Sequence, residues 1–317
     1  PDATPRSEPS HPSAAPSFID PHGDPVSKKI LITGCSSGFG LDAAKTLSKK
    51  GHHVYATMRA VDGRNAPKAQ ELRDFAADEG VSISVHEMDV TSDASVSAAM
   101  ADIDHVDVVI NNAGYGYGGP VESFEGDEIL AQLDLNVVGT ARVSNAVLPQ
   151  MRERGDGLII QVSSTAGRGA FPGFGVYHAS KWGLEGMSEG MRYELAPLGI
   201  DVVMVEPGPF ETNFFDNMTQ GSRQDVMGAY GHIGEFFEGF QQTVRQLFED
   251  GEAPTDAHIV VDIFDRLIDT PKGKRPFRTI AGLDFGFQAL NDASEPIRQA
   301  GLEGMGIAEW DGPKAAP

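Results

Sequence analysis

Two residues four positions apart, Tyr177 and Lys181, have the side chains needed to move a proton to or from a substrate oxygen. Residues at this spacing share one face of a helix, so the phenol and the ammonium can lie side by side. A tyrosine has a reference pKa of about 10, and a neighbouring positive charge lowers it. The pattern favours acid/base catalysis by Tyr177, although the same spacing is also common in surface pairs without a catalytic role.

Three further polar residues have types that suit carbonyl chemistry. Ser163 and Ser164 follow a predicted strand, where a hydroxyl can polarise a substrate carbonyl or simply cap a turn. Asn136 lies within a helical pattern, and polar residues in such positions are usually exposed. From the residues alone, each of the three has both a catalytic and a structural interpretation.

A glycine- and serine-rich segment, 33–40, joins the first predicted strand to the first predicted helix. Glycines let the backbone approach a pyrophosphate, and the helix N-terminus presents free N–H groups and a positive dipole end. The spacing G-x-x-x-G-x-G differs from the commonest fingerprint, so an ordinary glycine-rich turn is the alternative to a dinucleotide loop. The residues predicted to contact the phosphates are Gly34, Ser36, Ser37, Gly38, Phe39 and Gly40.

Charged residues after the second predicted strand bear on which dinucleotide binds. An acid there would bind the adenosine ribose and select NAD(H), whereas a base can hold a 2′-phosphate. Arg59 follows the strand and no acid occupies the strand end, which favours NADP(H) and leaves NAD(H) open. Asp62 and Arg64 are close enough in sequence to make the choice of cofactor less clear. Alternatively, Arg59 is a solvated surface side chain.

Residues after three other predicted strands also suit a binding crevice, which in a parallel sheet forms at the carboxyl ends of the strands. Asp89 is an acceptor for an adenine amino group or, alternatively, part of a helix start. Gly208 would let its loop pass close to the nicotinamide. The residues predicted to line the crevice here are Asp89, Val90, Asn112, Ala113, Gly114, Pro207, Gly208 and Thr212.

Short apolar runs alternate with helical patterns along most of the chain. Such alternation implies right-handed crossovers and an α/β fold, a doubly wound parallel sheet with helices on both faces. The predicted strands are 29–33, 53–57, 81–88, 106–110, 158–162, 200–205 and 278–280, and the main helical patterns are 42–50, 128–151, 178–196 and 255–268.

The composition limits the kinds of partner. The 317 residues include 46 acidic and 25 basic side chains, a formal charge of -21, which repels nucleic acid and anionic lipid. The single cysteine, Cys35, excludes an intrachain disulfide, and no spacing suggests a metal site. With no long apolar run and no signal-peptide pattern, the sequence predicts a soluble, cytoplasmic protein.

The same composition predicts the domain organisation. Residues 1–26 are rich in Pro, Ser and Ala and predict a flexible tail. Residues 27–300 predict a single folded domain with a substrate lid at about 209–254, and residues 301–317 predict a weakly structured extension.

In order and spacing, these motifs resemble the short-chain dehydrogenase/reductase family over roughly residues 27–285. The resemblance implies a single Rossmann-type domain with about seven parallel strands, and an NAD(P)(H)-dependent oxidoreductase that interconverts an alcohol and a carbonyl. The segment 54–59 is similar to the steroid and retinol dehydrogenase branch, where arginine accompanies NADP(H). The family also commonly forms homodimers or homotetramers through helices that match 137–152 and 178–196. The matching residues are Thr33 to Gly40, Asp89, Asn111 to Gly114, Asn136, Ser164, Tyr177, Lys181, Pro207 and Gly208.

The resemblance also implies catalytic roles. Tyr177 would be the acid/base, Lys181 would lower the pKa of Tyr177 and bind ribose, and Asn136 would hold a relay water. Ser164, not Ser163, would orient the carbonyl, because the family's serine lies thirteen residues before its tyrosine. Phe39 departs from the family's usual Ile or Leu.

Aromatic residues after Gly208 bear on the substrate. Phe210, Phe214 and Phe215 predict a hydrophobic small-molecule substrate, of steroid, retinoid or aryl-ketone type, whereas three later phenylalanines are expected on the core face of a helix. Those three are Phe236, Phe237 and Phe240. The alternatives are a non-catalytic NAD(P)-binding regulator and an epimerase or dehydratase on the same fold.

Overall fold

A seven-stranded parallel sheet forms the centre of the protein in the computed structural model, which describes residues 27–210 and 217–314. The strands are β1 (Lys29–Thr33), β2 (His53–Met58), β3 (Ile83–Glu87), β4 (Val108–Asn111), β5 (Gly157–Val162), β6 (Ile200–Pro207) and β7 (Arg278–Ala281). The predicted α/β fold with about seven parallel strands is confirmed.

The strand order is β3-β2-β1-β4-β5-β6-β7, and each neighbouring pair is parallel. The chain moves outward in one direction from β1 to β3 and then in the other direction from β4 onward. Between β1 and β4 the connections therefore diverge to opposite sides of the sheet. In such a sheet the crevice beyond the carboxyl ends of these strands is the usual ligand site.

Helices cover both faces of the sheet. Because successive strand residues point to opposite faces, Ile30 and Ile32 of β1 lie in one apolar cluster and Leu31 lies in another. The first cluster includes side chains of α1 and α8, and the second includes side chains of α3, α5 and α6. The α-helices are α1 (Gly38–Lys49), α2 (Ala66–Glu79), α3 (Asp93–Ala101), α4 (Gly126–Leu133), α5 (Gly139–Arg154), α6 (Gly175–Leu195), α7 (Gly231–Glu249), α8 (His258–Asp269) and α9 (Phe287–Gly304).

The helical pattern predicted at 128–151 is not one regular helix. It consists of α4, a π-helical turn at Asp134–Val138, and α5. A π-helical turn contains an extra residue without breaking the run of apolar side chains, so the periodicity alone does not reveal it. The turn contains Asn136, one of the predicted site residues.

The C-terminal segment is better ordered than its composition predicts. Helix α9 continues to Gly304, past residue 301, where the predicted extension begins. Beyond the helix, Asp311 forms ion pairs with Arg298 of α9 (2.6 Å) and Arg192 of α6 (2.7 Å). Because ion pairs rather than an apolar stripe attach this segment to α6, the hydrophobic periodicity gives little sign of it.

Candidate active site

A cavity of about 770 Å³ lies at the carboxyl ends of the central strands, where the crossover connections diverge. Its walls come from the loops after β1, β2, β3, β4, β5 and β6 and from the first turns of α6. The predicted site residues in these walls are Gly34, Ser36, Ser37, Gly38, Phe39, Arg59, Asp89, Val90, Asn112, Ala113, Gly114, Ser164, Tyr177, Lys181, Pro207 and Gly208.

Three predicted site residues are not part of the described cavity wall. Gly40 is buried behind the loop, where an added Cβ would lie 2.5 Å from the Gly34 carbonyl oxygen. Asn136 is buried beneath the cavity. Thr212 lies outside the described residues, as do Phe214 and Phe215, so the predictions for these three stay predictions.

Tyr177 lies in the first turn of α6 and is hydrogen-bonded to Ser164, which lies at the start of the loop after β5. Burial raises the pKa of Tyr177 to about 12, and the bond with Ser164 offsets only part of this effect. At neutral pH the side chain is therefore a phenol, ready to donate a proton. We expected the ammonium to lower this pKa, but burial has the larger effect in the described structure.

Lys181 lies one turn after Tyr177, with its Nζ atom 5.8 Å from the centre of the tyrosine ring. The Nζ atom donates a hydrogen bond to the Val162 carbonyl oxygen at 2.9 Å. Burial lowers the pKa of Lys181 to about 8, although the charge of Glu185 opposes this shift. The lysine is thus held at the junction of β5 and α6, with its amine near the tyrosine ring rather than paired with an acid.

Asn136 is fixed by two donor bonds from its side chain. Its Nδ2 atom donates to the Ser180 hydroxyl at 2.9 Å and to the Tyr115 carbonyl oxygen at 3.1 Å. Its Oδ1 atom is buried and has no partner among the described residues. A buried acceptor without a partner is costly, and a bound water is the usual remedy. The water expected near Asn136 stays a prediction.

The turn between β1 and α1 is held against the end of β4. Gly34 has a positive φ of +75°, and an added Cβ would lie 2.9 Å from Ala113, so a larger residue does not fit. The Asn112 side chain donates to the carbonyl oxygens of Thr33 (2.9 Å) and Gly34 (3.3 Å). Asn112 therefore shapes the turn as well as lining the cavity.

The loop after β2 presents two arginines, Arg59 and Arg64, to the cavity. Both Glu87 oxygens, at the end of β3, accept backbone N–H bonds from Ala60 and Val61, each at 2.7 Å. Glu87 is therefore engaged with the loop backbone rather than free to bind a ribose. The sequence left the role of Arg64 open. In the structure Arg64 lines the cavity together with Arg59.

Asp89 is oriented by Thr91, whose backbone N–H and hydroxyl both donate to the Oδ1 atom of Asp89. Burial disfavours the charged carboxylate, but these bonds and the charges of Arg59 and Arg64 outweigh burial and lower its pKa. The N-cap of α3 is Ser92, so the capping alternative does not apply to Asp89 itself.

Position 208 requires glycine for a steric reason, which differs from the expected close approach of its loop to the nicotinamide. An added Cβ would lie 1.8 Å from the Leu283 carbonyl oxygen, so the loop after β6 packs tightly on the loop after β7. The adjacent ring of Phe210 packs edge-on against Phe39, with centroids 5.8 Å apart. The phenylalanine at position 39 thus has an aromatic partner in the loop after β6.

An aromatic wall, defined by Phe171, Phe174, Phe240 and Phe285, also lines the cavity. The ring centroid of Phe171 lies 6.1 Å from that of Phe240 and 5.9 Å from that of Phe285. Phe240 was expected on the core face of a helix, and this is wrong, because it is only half-buried and lines the cavity. Phe237 is also half-buried and packs on Phe174 with centroids 4.3 Å apart.

Sequence analysis missed several residues of the cavity wall. Asn65, Phe171, Phe174, His178 and Phe285 all contribute to it. His178 follows Tyr177 directly. Its position next to the Tyr177–Lys181 motif was the only sequence signal that it lies at the cavity. The phenylalanines lie in loops without periodicity, so only the folded chain brings them together.

Two searches of the described residues bear on membrane-spanning helices and metal sites. None of their helices combines the length and hydropathy needed to cross a membrane. Among them there is also no cluster of three or more His, Cys, Asp or Glu side chains arranged to hold a metal ion.

The chain matches the family model described as short chain dehydrogenase over residues 28–223. It is 34% identical over 249 residues to human 17-beta-hydroxysteroid dehydrogenase type 1, covering 77% of this chain and 74% of that protein.

Two solved structures are similar as well. A short-chain dehydrogenase from Streptomyces avermitilis has a TM-score of 0.67 and 32% identity, covering 89% of this chain and 98% of that chain. A gluconate 5-dehydrogenase from Burkholderia cenocepacia, in complex with NADP and tartrate, has a TM-score of 0.55 and 32% identity, covering 59% of this chain and 73% of that one.

With this fold and this site, the chain belongs to the short-chain dehydrogenase family. It is an oxidoreductase of CH–OH and C=O groups that uses NAD(P), as the resemblance implied. The cavity fits such a cofactor, because its lining combines a glycine turn at a helix N-terminus, two arginines, and Tyr177 with Lys181.

Proposed function

We propose that this protein is an NADP(H)-preferring enzyme that interconverts a carbonyl and an alcohol on an apolar, ring-containing substrate. The observation that carries the proposal is the hydrogen-bonded Ser164–Tyr177 pair between the glycine turn and the aromatic wall. The substrate class extends to steroid-, retinoid- and aryl-ketone-like molecules. The hydroxysteroid named for the human relative supports this class.

The cavity residues divide into cofactor-binding and substrate-binding groups. When bound, the nicotinamide dinucleotide supplies or accepts a hydride. The turn at 34–40 would hold its phosphates, Asp89 and Val90 its adenine, and Lys181 its nicotinamide ribose. Thr212 remains a proposed contact to the carboxamide.

The proton is handled by Tyr177 and Ser164. In the reductive direction Tyr177 donates its phenolic proton to the carbonyl oxygen, and the Ser164 hydroxyl stabilises the developing negative charge. The phenolate then formed is favoured by its bond with Ser164 and by the nearby ammonium of Lys181. A water on the free Oδ1 of Asn136 would return a proton to this pair.

The preference for NADP(H) rests on charge. Arg59 and Arg64 both face the adenosine end of the cavity, and the nearest acid of β3, Glu87, is bound to loop backbone. Two cations suit a 2′-phosphate, and they outnumber Asp89, the cavity acid whose pKa their charges lower. The lid at about 209–254 is also part of the proposal, with Phe240 of α7 and Asn217 lining the cavity. A homodimer or homotetramer through α5 and α6 remains a prediction.

Fluorescence titration with NADPH and NADH, followed by turnover on a carbonyl panel, tests this function. We expect NADPH to bind at least about tenfold more tightly than NADH, since a charge-assisted contact contributes that much. Arg59→Ala should remove most of the difference, whereas Arg245→Ala, an equal charge change on exposed α7, should not. The panel should show lower KM values for steroid, retinoid and aryl ketones than for small polar ketones.

Equal binding of both cofactors would contradict the arginine assignment. Turnover of small polar ketones only would contradict the substrate class. Cofactor binding without turnover of any carbonyl or alcohol would favour the non-catalytic alternative.

A further inference from the structure

His178, the residue after Tyr177 in α6, is buried at the cavity wall with 4% of its surface exposed. The Phe171 N–H donates to its Nε2 atom at 2.9 Å, and its Nδ1 atom lies 2.8 Å from the Ala166 carbonyl oxygen. Because an N–H faces Nε2 and a carbonyl oxygen faces Nδ1, the ring carries its proton on Nδ1 and is neutral. Burial also lowers the pKa of His178, which agrees with a neutral ring.

The two backbone groups held by His178 belong to different parts of the site. Ala166 follows Ser164 by two residues, and its N–H donates to the Ser164 hydroxyl oxygen at 3.1 Å. Phe171 is the residue of the aromatic wall that contacts both Phe240 and Phe285. The imidazole therefore connects the turn that carries Ser164 to one residue of the aromatic wall.

The segment that carries Phe171 is anchored on either side of it, by a bond from Arg168 Nε to Asn291 Oδ1 at 2.6 Å and by a bond from the Gly119 N–H to the Gly173 carbonyl oxygen at 2.7 Å. The turn bond from Phe174 N–H to the Phe171 carbonyl oxygen is long, at 3.4 Å. Phe171 itself is only half-buried, and its neighbour Pro172 is exposed. Between these two anchors the bond to His178 holds the backbone N–H of Phe171, and so fixes Phe171 relative to the turn that carries Ser164.

We propose that His178 is a positioning residue that determines substrate specificity, because its neutral imidazole fixes the aromatic wall at a set distance from the Ser164–Tyr177 pair. This inference rests on the proposed carbonyl chemistry at that pair. An apolar ring packed on Phe171 would then present its carbonyl to both hydroxyls. A small substrate that does not reach the wall gains nothing from the connection.

Two amide variants separate the two bonds of the ring. His178→Gln retains an acceptor that can reach the Phe171 N–H, and His178→Asn retains only a donor that can reach the Ala166 carbonyl. His178→Phe removes both bonds and keeps a ring of similar size. The control is His52→Phe, because His52 is also buried and accepts a backbone N–H bond, from Lys28 at 3.2 Å, far from the cavity.

The measurements are kcat and KM for a bulky aryl or steroid ketone and for a small aliphatic ketone, the NADPH dissociation constant and the melting temperature. Losing one neutral hydrogen bond changes an equilibrium by roughly five- to tenfold. We expect KM for the bulky ketone to rise by about that factor in His178→Asn and His178→Phe. His178→Gln should return KM most of the way to wild type. For the small ketone, KM should change by less than about twofold.

Three outcomes would overturn the inference. They are an equal rise of KM for both ketones, an equal loss in the Gln and Asn variants, and unchanged KM in all three. If the His52→Phe variant loses stability without a change in KM, then loss of a buried histidine bond is not by itself enough to raise KM. If the wild-type protein turns over neither ketone, the proposed function is wrong and the inference is wrong with it. If the wild-type protein is active, the variants test the inference alone.

Discussion

At the scale of single residues, burial controls the chemistry of the site. It raises the pKa of Tyr177 to about 12 and lowers the pKa of Lys181 to about 8, so it favours the neutral form of each group. The Ser164 bond opposes this effect for the tyrosine. Tyr177 is consequently protonated at neutral pH, which suits proton donation to a carbonyl.

Removing the phenolic oxygen tests this role. We expect Tyr177→Phe to lower kcat for carbonyl reduction by about 10² to 10⁴, the usual contribution of a general acid. The NADPH dissociation constant should stay within about twofold of wild type, since the phenol forms no part of the phosphate contacts. Steady-state kinetics and fluorescence titration check both values. Turnover close to wild type would show that another group donates the proton.

At the scale of elements, the loop after β2 depends on an acid from a neighbouring strand. Ala60 has a positive φ of 54°, which an alanine rarely adopts. The Glu87 carboxylate accepts the N–H groups of Ala60 and Val61 and so holds this conformation. A glutamate of β3 thereby orients Arg59 and Arg64 on the loop without facing the cavity itself.

Glu87→Gln tests the support of this loop. The amide retains one acceptor oxygen but directs an N–H group toward a backbone donor, so we expect NADPH to bind about three- to tenfold more weakly. Glu79→Gln makes the same charge change on the exposed end of α2 and should leave binding unchanged. Fluorescence titration measures both variants. Tighter NADPH binding in Glu87→Gln would mean that only the lost negative charge matters.

At the scale of the whole molecule, a buried acid joins four elements behind the site. Glu206 of β6 is fully buried and accepts a bond from Asn291 of α9 at 2.6 Å. Arg278 of β7 lies 3.5 Å from Glu206 and 2.9 Å from Glu185 of α6. Burial and then the charge of Glu185 raise the pKa of Glu206 to about 8, although Asn291, Arg278 and Arg168 oppose the shift.

This raised pKa predicts a pH-dependent stability. As pH rises from about 4.5 toward 8, the unfolded chain loses this proton before the folded protein does, so the free energy of unfolding falls. Glu206→Gln cannot lose a proton, and we expect its stability relative to wild type to increase between pH 5 and pH 8. Urea unfolding at both pH values checks this, with Glu303→Gln on exposed α9 as the control. A constant difference between the proteins would contradict the assignment.

The sequence alone determined the strands of the sheet and most of the residues around the cofactor cavity. Strands buried on both faces appear as short apolar runs, and the chemistry at their carboxyl ends requires particular residues, such as Gly34, Asn112 and Tyr177, at nearly constant spacing. Both signals are local, so they can be found without knowing which segments meet. The predicted catalytic roles rest on family resemblance and await the kinetic tests above.

Only the tertiary structure decided the rest. The π-helical turn at Asn136, the bond network of His178, the support of the arginine loop by Glu87 and the aromatic wall all depend on contacts between distant segments. The same holds for α9, whose Arg298 pairs with Asp311 and whose Asn291 bonds to Glu206 of β6. Hydrophobic periodicity reports which face of an element is buried, but it does not report which loops converge at the edge of a sheet.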